Sequence, residues 1–184
     1  MNKFDSHSRR HSDIQRYIAV TTVGPSTLRN QGKSGVIEMA QSFLSEFDLH
    51  RLTVNDERAF LRVLDTMTEE LRQQLPRGAQ HWGAARKAVN LFLRDCCYNR
   101  IVSDTYRLAS LEAWLEIPLD SVVAAELKRR LPRRTLPAWP RLKGLTPPVS
   151  AAFQRVAKAR ADADGITRPR LDMRLWVAQR KPRG

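Results

Sequence analysis

Apolar residues recur at helical spacing along most of the chain. Asn55–Leu75 places them at Phe60, Leu61, Val63, Leu64, Met67 and Leu71, with Asp56 and Glu57 in its first turn and Pro76 as its stop, so the spacing predicts one helix there. The same period predicts helices over Val36–Phe47, His81–Arg100, Asp104–Leu115, Asp120–Leu131, Pro147–Ala163 and Leu171–Gln179. Only Tyr17–Val23 (Tyr-Ile-Ala-Val-Thr-Thr-Val) reads as extended, being β-branched and bounded by Gly24-Pro25. Two stretches read as loops: Gly24–Gly35, rich in Gly, Ser, Thr and Asn, and Pro132–Pro148, with five prolines around Trp139. The expected fold is all-α. It is a single compact domain over 17–184, opening on a short extended arm and preceded by a frayed basic start at 1–16.

Composition narrows this picture. With 184 residues, 42% of them hydrophobic, the chain is long enough and apolar enough to bury a core, which excludes a disordered basic tail. No run approaches the roughly 18 apolar residues of a membrane span, and Met1–Arg16 lacks the apolar centre of a signal peptide. A cytoplasmic protein is expected. The only cysteines, Cys96 and Cys97, are chain neighbours, badly placed to bridge each other and too few for a four-cysteine site. His7, His11, His50 and His81 lack ligand spacing, so neither metal nor cofactor is expected.

Charge changes the picture more. The formal net charge is +13, and residues 128–184 carry all of the excess, because the first 127 residues balance. A one-sided basic footprint points to phosphate, since each neutralised phosphate releases counterions. Arg129, Arg130, Arg133, Arg134, Arg141 and Lys143 are the candidate DNA contacts. The plain alternative is a solvated basic surface.

One tempting motif fails. Tyr17–Val23 followed by Gly24–Ser34 imitates a phosphate-binding P-loop, but the first glycine of that motif would stand five residues before Gly32, where the chain has Thr27. No later apolar strand ends in an acid that could hold magnesium. The loop is left as a structured arm whose Asn30, Gln31 and Lys33 face either a ligand or solvent.

The block from His81 to Val123 carries the candidate chemistry. Lys87 sits among Ala84, Ala85, Ala88 and Val89, and a poorly solvated lysine is what a nucleophilic or Schiff-base role requires. A snorkelling surface lysine beside Arg86 is the other reading. Asp120 follows Ile117-Pro118-Leu119 and precedes Ser-Val-Val, the placement of a helix N-cap. A carboxylate fixed in this way also suits stabilisation of a positively charged sugar or activation of a water. Cap and catalyst are compatible.

An apolar helix bearing Lys87, an apolar-Pro-apolar-Asp helix start ending in Asp120, and Leu171-Asp172-Met-Arg-Leu-Trp176 occur in that order. Together they resemble the helix-hairpin-helix DNA glycosylase superfamily, and most closely its archaeal 8-oxoguanine glycosylase branch, over residues 81–128 and 166–178. Leu75-Pro76-Arg77-Gly78 and Gly83 echo the hairpin. The resemblance implies that Lys87 and Asp120 are catalytic, that Asp172 and Trp176 bind an extruded base, and that Leu91 stands where an aromatic would stack on it. It implies a monomer acting on double-stranded DNA that carries a modified or damaged base, without a cofactor. Base release accompanied by strand cleavage, through a Lys87 Schiff base, and base release alone both remain open. The family default is oxidised guanine, while Leu91 leaves room for a hypermodified phage base such as glucosylated hydroxymethylcytosine and hence a role in defence. The rival class is a non-catalytic DNA- or RNA-binding protein using the basic third. Among other aromatics, Trp82 and Tyr106 suit core or DNA, and Trp139 is the better candidate for a side chain that wedges into DNA.

Overall fold

A computed structural model of the chain describes residues 3–28, 30–31, 34–129 and 131–179. Nine α-helices succeed one another among these: α1 Lys3–Thr22, α2 Val36–Glu46, α3 Glu57–Gln74, α4 Trp82–Tyr98, α5 Arg100–Tyr106, α6 Ser121–Lys128, α7 Arg141–Gly144, α8 Pro147–Ala163 and α9 Arg168–Gln179. Short 3₁₀ turns at Leu49–Leu52 and Leu108–Leu111 complete the order, and no strand occurs among the described residues.

The expected extended arm is corrected, because Tyr17–Thr22 forms the end of the long helix α1 and Val23 directly follows it. The burial pattern explains why. Ile18, Ala19 and Val23 are buried while Tyr17 and Val20 are exposed, which is helical spacing rather than strand alternation. The buried Gln15 amide donates to the Leu44 and Phe47 carbonyls at 2.9 and 2.8 Å, satisfying the exit of α2. Tertiary packing against α2 and α4 overrides the β-branched local preference.

Side-chain caps set the other boundaries. The Asp56 carboxylate accepts from the Ala59 N–H at 2.7 Å and starts α3. Asn99 ends α4 and also caps α5 through the Val102 N–H at 3.1 Å. The single helix expected over Asp104–Leu115 is broken at Arg107, a non-glycine residue at φ +56°. The left-handed turn there brings Leu108 and Leu111 into the interior.

The buried apolar side chains form two clusters, one drawn from residues 18–115 and one from 117–175. α4 lies at their junction and is buried on almost every side, as expected of a helix at the centre of a fold. Gly83 in its first turn is a packing requirement: a Cβ there would collide with the Leu142 carbonyl and stand 2.6 Å from Leu145 Cβ. α7 therefore lies directly against the start of α4. Tyr106 packs edge-on to His50, and Trp82 and Trp139 pack against the second cluster. Trp139 makes a T-shaped contact with Phe153, with centroids 5.5 Å apart, so this half-buried indole is core rather than the expected wedge.

Candidate functional site

The site is built on α4. Its second turn carries two buried cations, and each must find a partner. Arg86 takes Glu116 through two hydrogen bonds of 2.9 and 3.1 Å, together with Thr68 Oγ1 at 3.0 Å and Asp65 at 2.9 Å. Asn90 adds a bond to the same Glu116 carboxylate at 3.1 Å. Lys87, one residue on, is also buried, against the surface reading, and its Nζ lies 3.3 Å from Asp120 Oδ2.

Asp120 uses its two oxygens differently. Oδ1 accepts the Val122 and Val123 N–H groups at 3.0 and 2.9 Å, the expected cap of α6, and Oδ2 faces Lys87. The segment leading to it, residues 115–119, is buried and irregular, so its backbone needs outside partners. Gln154 on α8 supplies them, accepting from Ile117 N–H at 3.1 Å and donating to Ile117 C=O at 2.8 Å. Glu116 ties the same segment to α4. Asp120 is thus fixed from three sides before any ligand arrives.

Two open clefts meet at this pair. One, of about 640 Å³, is lined by Lys87, Leu91, Arg94, Asp120, Asp172 and Trp176, among others. The other, of about 680 Å³, runs past Asn30, Gln31, Trp139, Arg141 and Lys143 and shares Ser26, Thr27, Lys87 and Asp120 with the first. The five residues expected to be catalytic or base-binding, Lys87, Asp120, Leu91, Asp172 and Trp176, therefore come together, although α4, α6 and α9 are far apart in sequence.

Arg94 and Asp95 were missed by sequence reasoning. Arg94 Nη1 donates to Asp172 Oδ2 at 2.6 Å and its Nε to Asp95 Oδ1 at 2.8 Å, while Thr22 donates to Asp95 Oδ2 at 2.7 Å. The available signal was spacing: Arg94 and Asp95 stand seven and eight residues after Lys87, on the same helix face. Burial pushes the Asp172 carboxyl up to about 6, and the negative charge of Asp120 adds to this, against the opposing pull of Arg94 and Lys87. A carboxyl that titrates near neutrality in an open cleft is a functional-site signal.

The basic candidates separate. Arg141 and Lys143 line the second cleft. Arg133 and Arg134 are exposed on the loop before α7 and line neither cleft. Arg129 is held by Glu126 at 2.9 Å, and Arg130 lies outside the described residues, as does Lys33. Elsewhere in the basic third Lys158 pairs with Asp162 of the same stretch, while Arg170 pairs with Glu112 outside it, so part of the charge excess is engaged by the rest of the chain. Burial pushes the thiols of Cys96 and Cys97 up, Cys97 to about 11, which removes them as nucleophiles. Among the described residues no group of three or more His, Cys, Asp or Glu is arranged to hold a metal, and no helix is long and apolar enough to cross a membrane. No protein-family model, curated protein or solved structure matches the chain.

Proposed function

We propose that the protein is a DNA glycosylase of the helix-hairpin-helix type, acting as a monomer on duplex DNA and releasing a modified base. The observation that carries this reading is the Lys87–Asp120 pair, 3.3 Å apart, at the junction of two clefts and fixed by an N-cap and by Gln154. A base within a duplex is out of reach of these groups, so it must be extruded at a cost of a few kcal/mol. The exposed Trp176 face offers stacking worth about 1–3 kcal/mol in return, and Asp172 offers an acceptor to a base N–H.

The sugar of the extruded nucleotide then lies over Lys87 and Asp120. In one course Lys87 passes a proton to Asp120 Oδ2 and its amine attacks C1′. The base departs with the electrons of the glycosidic bond and takes up a proton, and the sugar–lysine adduct opens to a Schiff base that permits strand cleavage. In the other, Asp120 Oδ2 orients a water and stabilises the oxocarbenium-like sugar, and the base leaves without an adduct. Leu91 puts an aliphatic side chain at the base end of a cleft several times larger than a plain nucleobase. Oxidised guanine and a bulkier modified base, of the kind phages install, both fit this reading.

Incubation with oligonucleotides carrying candidate bases, and with phage DNA rich in modified bases, with and without borohydride, tests the proposal. A covalent adduct lost in Lys87→Ala supports the lyase course. Release without an adduct, lost in Asp120→Asn, supports hydrolysis. Tight binding with no release from any of these DNAs refutes the glycosylase and leaves a non-catalytic binding protein.

A further inference from the structure

The two clefts that meet at Lys87 and Asp120 differ in charge. Among the described lining residues of the Asp172–Trp176 arm, two basic side chains, Lys87 and Arg94, face three acids, Asp95, Asp120 and Asp172. In the other arm three basic side chains, Lys87, Arg141 and Lys143, face Asp120 alone. Lys87 and Asp120 are already paired with each other, which leaves Arg141 and Lys143 as the charge excess of that arm. Neither forms an ion pair among the described residues, in contrast to Arg94, Arg129, Lys158 and Arg170.

The backbone around this arm points the same way. A helix start can hold phosphate through its free N–H groups, but α7 lies against the first turn of α4, where Gly83 meets Leu142 and Leu145. The start of α6 also borders this arm, but its Val122 and Val123 N–H groups are already taken by Asp120, so the basic side chains Arg141 and Lys143 are what the arm offers an anion. Arg141 is held at φ +59°, a conformation that a non-glycine residue adopts at a cost, at the head of the segment that lines the cleft. The packed Trp139, two residues before it, anchors that segment to the second core cluster.

We infer that the Arg141–Lys143 arm is a subsite for the backbone phosphate adjoining the nucleotide whose sugar lies over Lys87 and Asp120. This deepens the glycosylase reading and rests on it for the placement of the sugar. The base goes to the acidic, aromatic arm and the phosphate to the basic one, so the groove distinguishes the two ends of a single nucleotide. The subsite also retains its ligand after the reaction, because an abasic product has lost its base and kept its phosphates. Arg133 and Arg134, off the groove, add only general attraction.

The test is binding of the full chain to a duplex with one tetrahydrofuran abasic site, which leaves the base arm empty and isolates the phosphate contact. Arg141→Asn with Lys143→Gln is the test variant, asparagine being tolerant of positive φ. Arg155→Gln with Lys158→Gln, on α8 and off both clefts, removes the same charge as a control. Melting curves verify that both variants are folded. The expected result is a loss of roughly tenfold or more in affinity for the test variant, with the slope of log K against log salt falling by about 1 to 2. The control should lose no more than about twofold, as screened surface charge dictates. Equal weakening by the two variants, or an unchanged salt slope in the test variant, overturns the subsite. Wild-type protein that releases a base while the test variant binds normally sinks the subsite alone. Selective weakening without base release from any DNA keeps the phosphate site and sinks the glycosylase.

Discussion

Asp172 gives the sharpest thermodynamic prediction. Its carboxyl is largely buried beside Arg94, and burial raises it from 3.8 to about 6 even though the Arg94 ion pair at 2.6 Å opposes the change. At about 1.4 kcal/mol for each pH unit, that displacement amounts to about 3 kcal/mol. Well below pH 3.8 the group is protonated in both the folded and the unfolded chain and contributes nothing. Between pH 4 and 6 the unfolded chain releases its proton first, so the folded state loses stability as pH rises. Above pH 6 the loss is complete. Asp172→Asn removes this dependence, so urea unfolding of wild type and variant from pH 4 to 8 should show the wild type falling relative to the variant by about 3 kcal/mol, nearly all of it before pH 6.5. Because the variant also gives up a charge-assisted bond from Arg94, the slope of this difference is the diagnostic, not its absolute value. Parallel curves, or a wild type that gains on the variant as pH rises, would refute the reasoning. An acid retained at such a cost to stability makes sense at a ligand site, and the variant should be the less active protein near neutral pH.

Three further perturbations separate cap, tether and packing. Asp120→Asn keeps an oxygen for the Val122 and Val123 N–H groups but leaves the buried Lys87 ammonium without its carboxylate, at a cost of about 1–3 kcal/mol, and Asp120→Ala loses the cap as well, at about 1 kcal/mol more; both should slow single-turnover base release by about a hundredfold or more. Gln154→Leu strands the N–H and C=O of the fully buried Ile117, and urea melts should show a loss of about 2–4 kcal/mol with base release slowed in the protein that remains folded. Gly83→Ala forces α7 away from α4, and calorimetry should show about 1–3 kcal/mol of destabilisation, accompanied by weaker binding to abasic DNA, because Arg141 and Lys143 move with α7.

Elements whose limits are set by local chemistry were legible in the sequence. The Pro147 start and the Ala163 end of α8 were read directly, as was the Asp120 cap of α6, while Asp56, read as part of the first turn of α3, is its cap. The gathering of Lys87, Asp120, Asp172 and Trp176 around one cleft was expected from the resemblance that their motifs carry. What escaped depends on tertiary partners. β-branching at the end of α1 says strand until Gln15 is seen closing α2, and nothing in the sequence around Arg107 announces a left-handed break. Arg94 in a chain of net charge +13 carries no distinguishing mark until Asp172 is found beside it. Trp139 between prolines looked exposed because Phe153, its partner, lies on another element.

The three ion pairs that α4 makes across the junction of the two clusters differ in how far a ligand can reach them. Arg86–Glu116, Lys87–Asp120 and Arg94–Asp172 each join a cation of α4 to a carboxylate of the later half of the chain. Buried pairs of this kind add little net stability, but mismatching them is costly, so three along one helix set how the two clusters meet. Arg86 and Glu116 are nearly sealed, at 6% and 9% exposure, and their polar atoms are engaged by Thr68, Asp65 and Asn90, which suits a structural role alone. Arg94 is shared between two acids and holds Asp172 in place. Lys87–Asp120 has the longest separation of the three, a buried amine and a carboxylate 33% exposed to the cleft, and among the described residues the lysine has no second ion-pair partner. Of the three pairs, it is the one a sugar can reach and separate without unfolding the junction.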